Sequence, residues 1–247
     1  MKKINKPRYG IRGKKEYFLL LIFFSLLMFS FAQGQTPNVD LTWSTDTYIP
    51  LDYPGKALPT RGSRVEVVAN VDPEASAQEL VYTWLINDKV QENKSGKGRQ
   101  ILEFNLGESL NQKYEIKVNI SDEKNSFNVS SPDLAIIPQK PEIIVEAKLQ
   151  PIEVLSLVKG YVVSSGQNIR FVAQPYFFNI NSAQQLDYVW KFGQEEATLD
   201  SSNNPNIFNL EISKLNTSII RDLTVWAENK NSAIEKTSAT LEINIIP

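Results

Sequence analysis

From residue 38 onward, apolar side chains recur at every second position. Val65, Val67 and Ala69 share one face of an extended segment, and the charged Glu66 points the other way. Ile169, Phe171 and Ala173 repeat this opposite Arg170, and Tyr82, Trp84 and Ile86 alternate with Thr83. Tyr188, Trp190 and Phe192 alternate with Asp187 and Lys191, and Tyr114, Ile116, Val118 and Ile120 alternate with Glu115, Lys117 and Asn119. Period-two burial is the mark of strands with one buried face. Turn clusters separate the runs: Asn87-Asp88, Ser95-Gly96, Asp122-Glu123-Lys124-Asn125 and Ser201-Ser202-Asn203-Asn204. Short strands spaced in this way predict an all-β sandwich or barrel. Ala75–Leu80 has room for one turn of helix, and Glu108–Lys113 reads as a loop crossing between sheets.

The pattern is written twice. Gly62 to Ala69 aligns with Gly166 to Ala173, Leu80 to Trp84 with Leu186 to Trp190, and Phe104-Asn105-Leu106 with Phe208-Asn209-Leu210. Lys124-Asn125-Ser126 matches Lys230-Asn231-Ser232, and both copies close on Ile-Ile-Pro, at 136–138 and 245–247. The repeat is the size of a small domain, not of a solenoid turn. The expected organisation is therefore a sandwich over 33–138, a proline-bounded linker at 139–141 and a second sandwich over 142–247, with Pro138 and Pro141 stiffening the join. One conflict stands in this alignment. Matched through the Lys-Asn-Ser turn, Ile120 meets Trp226, yet the alternation of Leu223, Val225 and Ala227 turns Trp226 outward. One copy must carry an extra or missing residue, such as a bulge.

Residues 1–32 differ from the rest. Seven basic residues and one acid lie in the first 16, followed by a run from Tyr17 to Ala32 broken only by Ser25 and Ser30. Ser30-Phe31-Ala32 ends it in a small-x-small pattern. This describes a secretory signal peptide or, if retained, an N-terminal membrane anchor. Either reading exports the remainder to the outer side of the cytoplasmic membrane, the periplasm or the medium.

Charge follows from this division. The chain has 26 basic and 28 acidic residues; residues 1–32 hold seven and one, leaving 19 and 27, a net of −8. An acidic exported part without a basic cluster does not suit nucleic acid, and it leaves membrane contact to the N-terminal segment. There is no cysteine and no histidine. Disulfides, thiolate sites, imidazole ligands and imidazole general bases are absent as residue types, and no acid pair stands in an apolar context. The expectation is a protein that is not an enzyme, with no cofactor and no metal. Asp122-Glu123 with Asn125, and Asp200 with Asn203-Asn204, offer oxygen ligands but match no calcium-loop spacing, and read as solvated turns.

Tyr188-Val189-Trp190-Lys191-Phe192-Gly193 resembles the core-strand motif of polycystic-kidney-disease-type (PKD) domains, although Gln194-Glu195 replaces the usual Asp-Gly. The first copy keeps Tyr82 and Trp84. Leu223 to Lys230 resembles the late strand of immunoglobulin domains, with Val225 in the cysteine position. The resemblance implies tandem immunoglobulin-like β-sandwiches with Trp84 and Trp190 as buried anchors. Asp40 to Pro50 and Gly55 to Pro59 resemble the start of uncharacterised exported proteins of candidate-phyla (Patescibacteria-type) bacteria, which implies a surface location and no particular activity.

Candidate binding residues are the aromatics that these strands do not claim. Trp43, Tyr48 and Tyr53 stand among prolines before the first repeated strand, either as an exposed platform or as a cap on the first sandwich. Tyr176, Phe177 and Phe178 occupy a place where the first copy has Asp72-Pro73-Glu74. They form a contact surface, with the other domain or with a partner, or they extend the core. Trp226 is a ligand contact or a cover over the interdomain seam. Two functions fit. One is a non-catalytic spacer, adhesion or protein-interaction module of the envelope, with another surface protein or a glycan as partner. The other is a carbohydrate-binding module, which requires two or three coplanar exposed aromatics.

Overall fold

The structure, a computed structural model, describes residues 37–72, 74–149, 155–156, 160–196 and 204–247. Residues 1–32, where the sequence leads one to expect a signal or anchor, lie outside the described residues.

Two double-sheet bodies follow one another. The first contains β1 (Asn38–Thr45), β2 (Arg64–Asp72), a 3-10 turn (Glu74–Glu79), β3 (Val81–Ile86), β4 (Lys89–Val90), β5 (Gly96–Lys97), β6 (Ile101–Asn105), β7 (Tyr114–Ser121), β8 (Asn128–Ser130) and β9 (Leu134–Ile136). One sheet has the order β1-β2-β6; the other runs β4-β3-β7-β8, with β5 also on β3 and β9 on β7. The second body contains β10 (Glu142–Leu149), β11 (Leu155–Ser156), β12 (Tyr161–Ser164), β13 (Asn168–Tyr176), β14 (Leu186–Phe192), β15 (Glu195–Glu196), β16 (Ile207–Glu211), β17 (Ile219–Asn229) and β18 (Ser232–Ile246). Its sheets are β11-β10-β13-β16 and β12-β18-β17-β14-β15, with β12 parallel to β18. The fold is all-β, two tandem immunoglobulin-like sandwiches.

Each body has its own core, and alternation builds it. Val65, Val67 and Ala69 meet Tyr82, Trp84, Ile116, Val118 and Ile120 across the first sandwich. Ile169, Phe171 and Ala173 meet Tyr188, Trp190, Val225 and Ala227 across the second. Trp84 and Trp190 are 0% and 1% exposed. Their indole N–H groups donate to the carbonyls of Arg99 (2.8 Å) and Pro205 (3.1 Å), and the Tyr82 and Tyr188 hydroxyls donate to those of Ala77 (2.9 Å) and Ala183 (3.2 Å). Every buried polar atom of these four rings thus has a partner, as burial demands. Turn chemistry is repeated too. Asn87 and Asp88 take left-handed φ values of 51° and 60° in the two-residue β3–β4 turn, and Gly193 (φ 63°) opens the β14–β15 turn.

The register conflict resolves at the hairpins. Trp84 stands opposite Val118 and Tyr82 opposite Ile120, whereas Trp190 stands opposite Val225 and Tyr188 opposite Ala227. The counterpart of Ile120 is therefore Ala227, and Trp226 points out. Residues 122–127 connect β7 to β8, but only Lys230 and Asn231 connect β17 to β18. The pairing of β18 also slips, with Glu228 opposite Lys236 but Asn229 opposite Ser232, so Ala233, Ile234 and Glu235 form a bulge.

Trp190→Ala is expected to lower unfolding free energy by about 3–5 kcal/mol in denaturant titration; a loss within the range of surface substitutions would show that this indole does not anchor the second core. Burial pushes the Tyr188 phenol well above its ordinary pKa, with Tyr48 adding to the shift, and raises Tyr82 as well. With folded values raised, this contribution to stability is intact below the unfolded value of about 10 and is lost as pH rises past it. In an alkaline titration the last phenolate absorbance should therefore appear together with loss of the far-ultraviolet circular dichroism.

Candidate interaction surfaces

The sequence-designated aromatics divide into three places. Trp43 lies on β1 opposite Val67, half-buried against the first core, with Lys56 Nζ 3.3 Å above its ring. Tyr48, Tyr53, Tyr176, Phe177 and Phe178 come together where the sandwiches meet. Trp226 stands alone on the outer face of the second.

The meeting point is made by the segment after β1. This stretch leaves the first sandwich, and Tyr48 packs on the core of the second. Tyr48 N–H donates to the Phe178 carbonyl at 2.8 Å, and Phe177 N–H donates to the Tyr48 carbonyl at 2.7 Å. The Tyr53 ring meets Tyr176 edge-on at 5.3 Å and Phe177 at 6.0 Å. Phe177 and Phe178 are not surface residues, being 5% and 0% exposed. Strand alternation would have left one of them outside. The strand ends at Tyr176, however, and Phe177 adopts a left-handed φ of 62°, which breaks the alternation and turns both rings inward. This conformation is costly for a bulky side chain and persists where surroundings over-determine it; the pair of hydrogen bonds to Tyr48 and the buried ring do so here.

A polar network continues the join. Thr60 N–H donates to Ser63 Oγ (2.8 Å), and Ser63 Oγ donates to Asn179 Oδ1 (2.7 Å). Asn179 Nδ2 donates to the Arg61 carbonyl (2.8 Å) and to Glu235 Oε1. Glu235 Oε2 accepts from Asn179 N–H (3.1 Å) and from Asn229 Nδ2 (2.8 Å). Glu235 is 2% exposed, and among the described residues no cation lies within ion-pair distance of it. A buried carboxylate without a counter-ion depends on donors aimed at it, and the β18 bulge and the turn after Asn229 supply that aim. The linker joins in as well, with Gln139 N–H donating to the Pro59 carbonyl at 2.7 Å. Sequence reasoning did not single out Ser63, Asn179, Asn229 or Glu235. The available signal was parity: Glu235 falls on the inward row of Thr237, Ala239, Leu241 and Ile243.

The coplanar aromatic platform required of a sugar-binding module does not form, because five of the seven aromatics meet at the junction. Trp226 is 40% exposed. It stands between Val189 and Ser238 on neighbouring strands, with Lys191 Nζ 5.2 Å from its ring centroid. A groove of about 660 Å³ runs from it past Lys236 to Lys140 and Pro141 of the linker and Arg61 of the first sandwich. Among the candidate cation ligands, the Asp122 carboxylate is engaged by the Ser126 N–H (2.7 Å) and hydroxyl, while Asp200 and Asn203 lie outside the described residues.

No protein-family model matches the sequence, and no curated protein matches it. Solved structures with a similar arrangement include the three N-terminal domains of the bacteriophage RB49 Highly Immunogenic Outer Capsid protein. That match has 17% identity and a TM-score of 0.45, covering 85% of this chain and 59% of the phage chain. The Bacteroides ovatus mixed-linkage glucan utilization locus protein SGBP-B, in complex with a mixed-linkage heptasaccharide, matches with 9% identity and a TM-score of 0.26 over 86% of this chain and 71% of its own. Drosophila N-cadherin EC1-4 matches with 14% identity and a TM-score of 0.30 over 85% and 51%. The present chain thus spans little more than half of the first and third of these. The fold assignment rests on the strand order and the two cores described above.

Glu235→Ala takes an acceptor from the buried Asn229 amide and from the half-buried Asn179, and is expected to cost about 1–3 kcal/mol. Asn231→Ala, in the exposed turn, should stay within about 0.5 kcal/mol. Equal effects of the two in denaturant titration would deny the network a role in stability.

Proposed function

We propose that this chain is an exported, non-catalytic module of the cell envelope, a stiff two-domain spacer that presents its faces for adhesion or for another surface protein. The observation that carries the reading is the junction. Aromatic packing and a buried polar network tie the sandwiches together beyond their linker, which suits a part that must hold two faces at a set angle. The charged N-terminal segment with its apolar run supports export. The absence of histidine and cysteine from the sequence supports a role without catalysis. The Trp190-Lys191-Phe192-Gly193 motif favours the PKD-like branch of the fold, and the opening segment's resemblance to exported proteins of candidate-phyla bacteria agrees with a surface position. Of the aromatics considered for carbohydrate binding, Trp226 is the one that remains on an open face.

Labelling intact cells with a membrane-impermeant lysine reagent should modify the chain, and the tagged chain should retain an envelope component in pull-downs from envelope extracts. A chain labelled only after lysis, or one that retains nothing across several salt concentrations, would overturn the reading.

A further inference from the structure

The two bodies treat the same sheet edge differently. In the second, β10 pairs with β13 on one side and with β11 on the other, where Ala147 faces Leu155 and Glu146 faces Ser156. In the first, β1 pairs with β2 along its whole length, and among the described residues no strand lies on its other side. The stretch that follows β1 is used elsewhere, since Tyr48 and Tyr53 go to the junction. Building the join has left the first body with an open edge.

Hydrogen-bond parity shows what that edge offers. Ala69 N–H donates to the Gln100 carbonyl (3.0 Å), and Leu106 N–H donates to the Ser63 carbonyl (2.9 Å). Odd-numbered residues of β2 therefore turn their main chain toward β6, and even-numbered ones turn theirs toward β1. Asp40, Thr42 and Ser44, which face those even-numbered residues, point their main-chain groups back at β2. Val39, Leu41, Trp43 and Thr45 aim theirs outward, and among the described residues nothing bonds to them. Open edges are normally blunted by lysine, proline, a bulge or brevity. β1 has none of these. It runs unbroken for eight residues, with Asp40 as its single charged side chain.

A strand that completes this edge must alternate, keep its apolar side chains on the core side and set no like charge opposite Asp40. β1 itself meets each condition. With a second copy turned about a two-fold axis through Thr42, Leu41 faces Trp43 and Val39 faces Thr45, all through main-chain groups that are open in the single chain. Asp40 then faces Ser44, and the half-buried Leu41 and Trp43 gain apolar neighbours. An edge reserved for a foreign strand needs a device against such self-pairing, and β1 carries none. We infer that two copies of the chain associate by antiparallel pairing of β1 with β1, which joins their three-stranded sheets into one across a closed, two-fold interface. The inference stands on the geometry of β1 and adds to the surface-module reading a partner, a second copy of the chain.

Sedimentation velocity of the full chain over a range of concentrations should show a monomer–dimer equilibrium. Thr42 is exposed in the single chain and faces itself across the two-fold axis. Thr42→Lys and Thr42→Glu should each weaken the dimer about fivefold or more, and mixing the two variants should restore it. The chain has no cysteine, so Thr42→Cys introduces a lone thiol. It would sit at a close, non-hydrogen-bonded pair and should oxidise to a disulfide-linked dimer, whereas Asn231→Cys should not. Circular dichroism confirms that each variant is folded. A chain that stays monomeric throughout, a dimer indifferent to both charge variants, or equal cross-linking through positions 42 and 231 would each overturn the inference. Cell labelling and envelope retention do not require self-pairing, so they report separately on the broader reading.

Discussion

An indole buried in a β-sandwich must find an acceptor for its N–H inside the protein, and this requirement organises both halves of the molecule. Trp84 and Trp190 each reach a carbonyl 15 residues further along the chain, just before the strand of the opposite sheet begins. Two residues before each indole, a tyrosine hydroxyl reaches back five residues to an alanine carbonyl. These bonds tie the two sheets of each body and the helical turn ahead of the third core strand into one frame. The apolar rows then fill the space that the frame encloses.

On that shared frame the two copies differ where they touch. The first has Asp72-Pro73-Glu74 after its early strand, and the second has Tyr176-Phe177-Phe178. The aromatic version receives Tyr48 and Tyr53 from the first sandwich, and the next residue, Asn179, receives Ser63. Apolar burial and a satisfied polar network lie side by side at the join. The first supplies most of the attraction, and the second sets the geometry, since a buried carboxylate tolerates few arrangements of its donors. Two bodies that the repeat describes as beads on a proline linker are thereby held along two paths.

The outer face shows the reverse economy. Trp226 would be buried by a one-residue slip, but Leu223, Val225 and Ala227 at the alternate positions of the same strand fill the second core and leave it outside.

Alternation along the chain was sufficient to identify the central strands of each body, the inward tryptophans, the repeat and the outward direction of Trp226, because side-chain direction in a strand depends only on local parity. The burial of Phe177 and Phe178 and the lack of a coplanar platform were not legible in that way. A left-handed residue at the end of a strand breaks parity, and no local pattern announces it. The junction was hidden for a different reason. It joins Tyr48 to Phe178, Ser63 to Asn179 and Asn179 to Glu235, residues far apart in sequence, whose meeting depends on how two finished sandwiches pack. Local sequence determined what each body is and that Trp226 points outward; only the tertiary structure decided how the bodies are held together and which of the other aromatics are taken into the join.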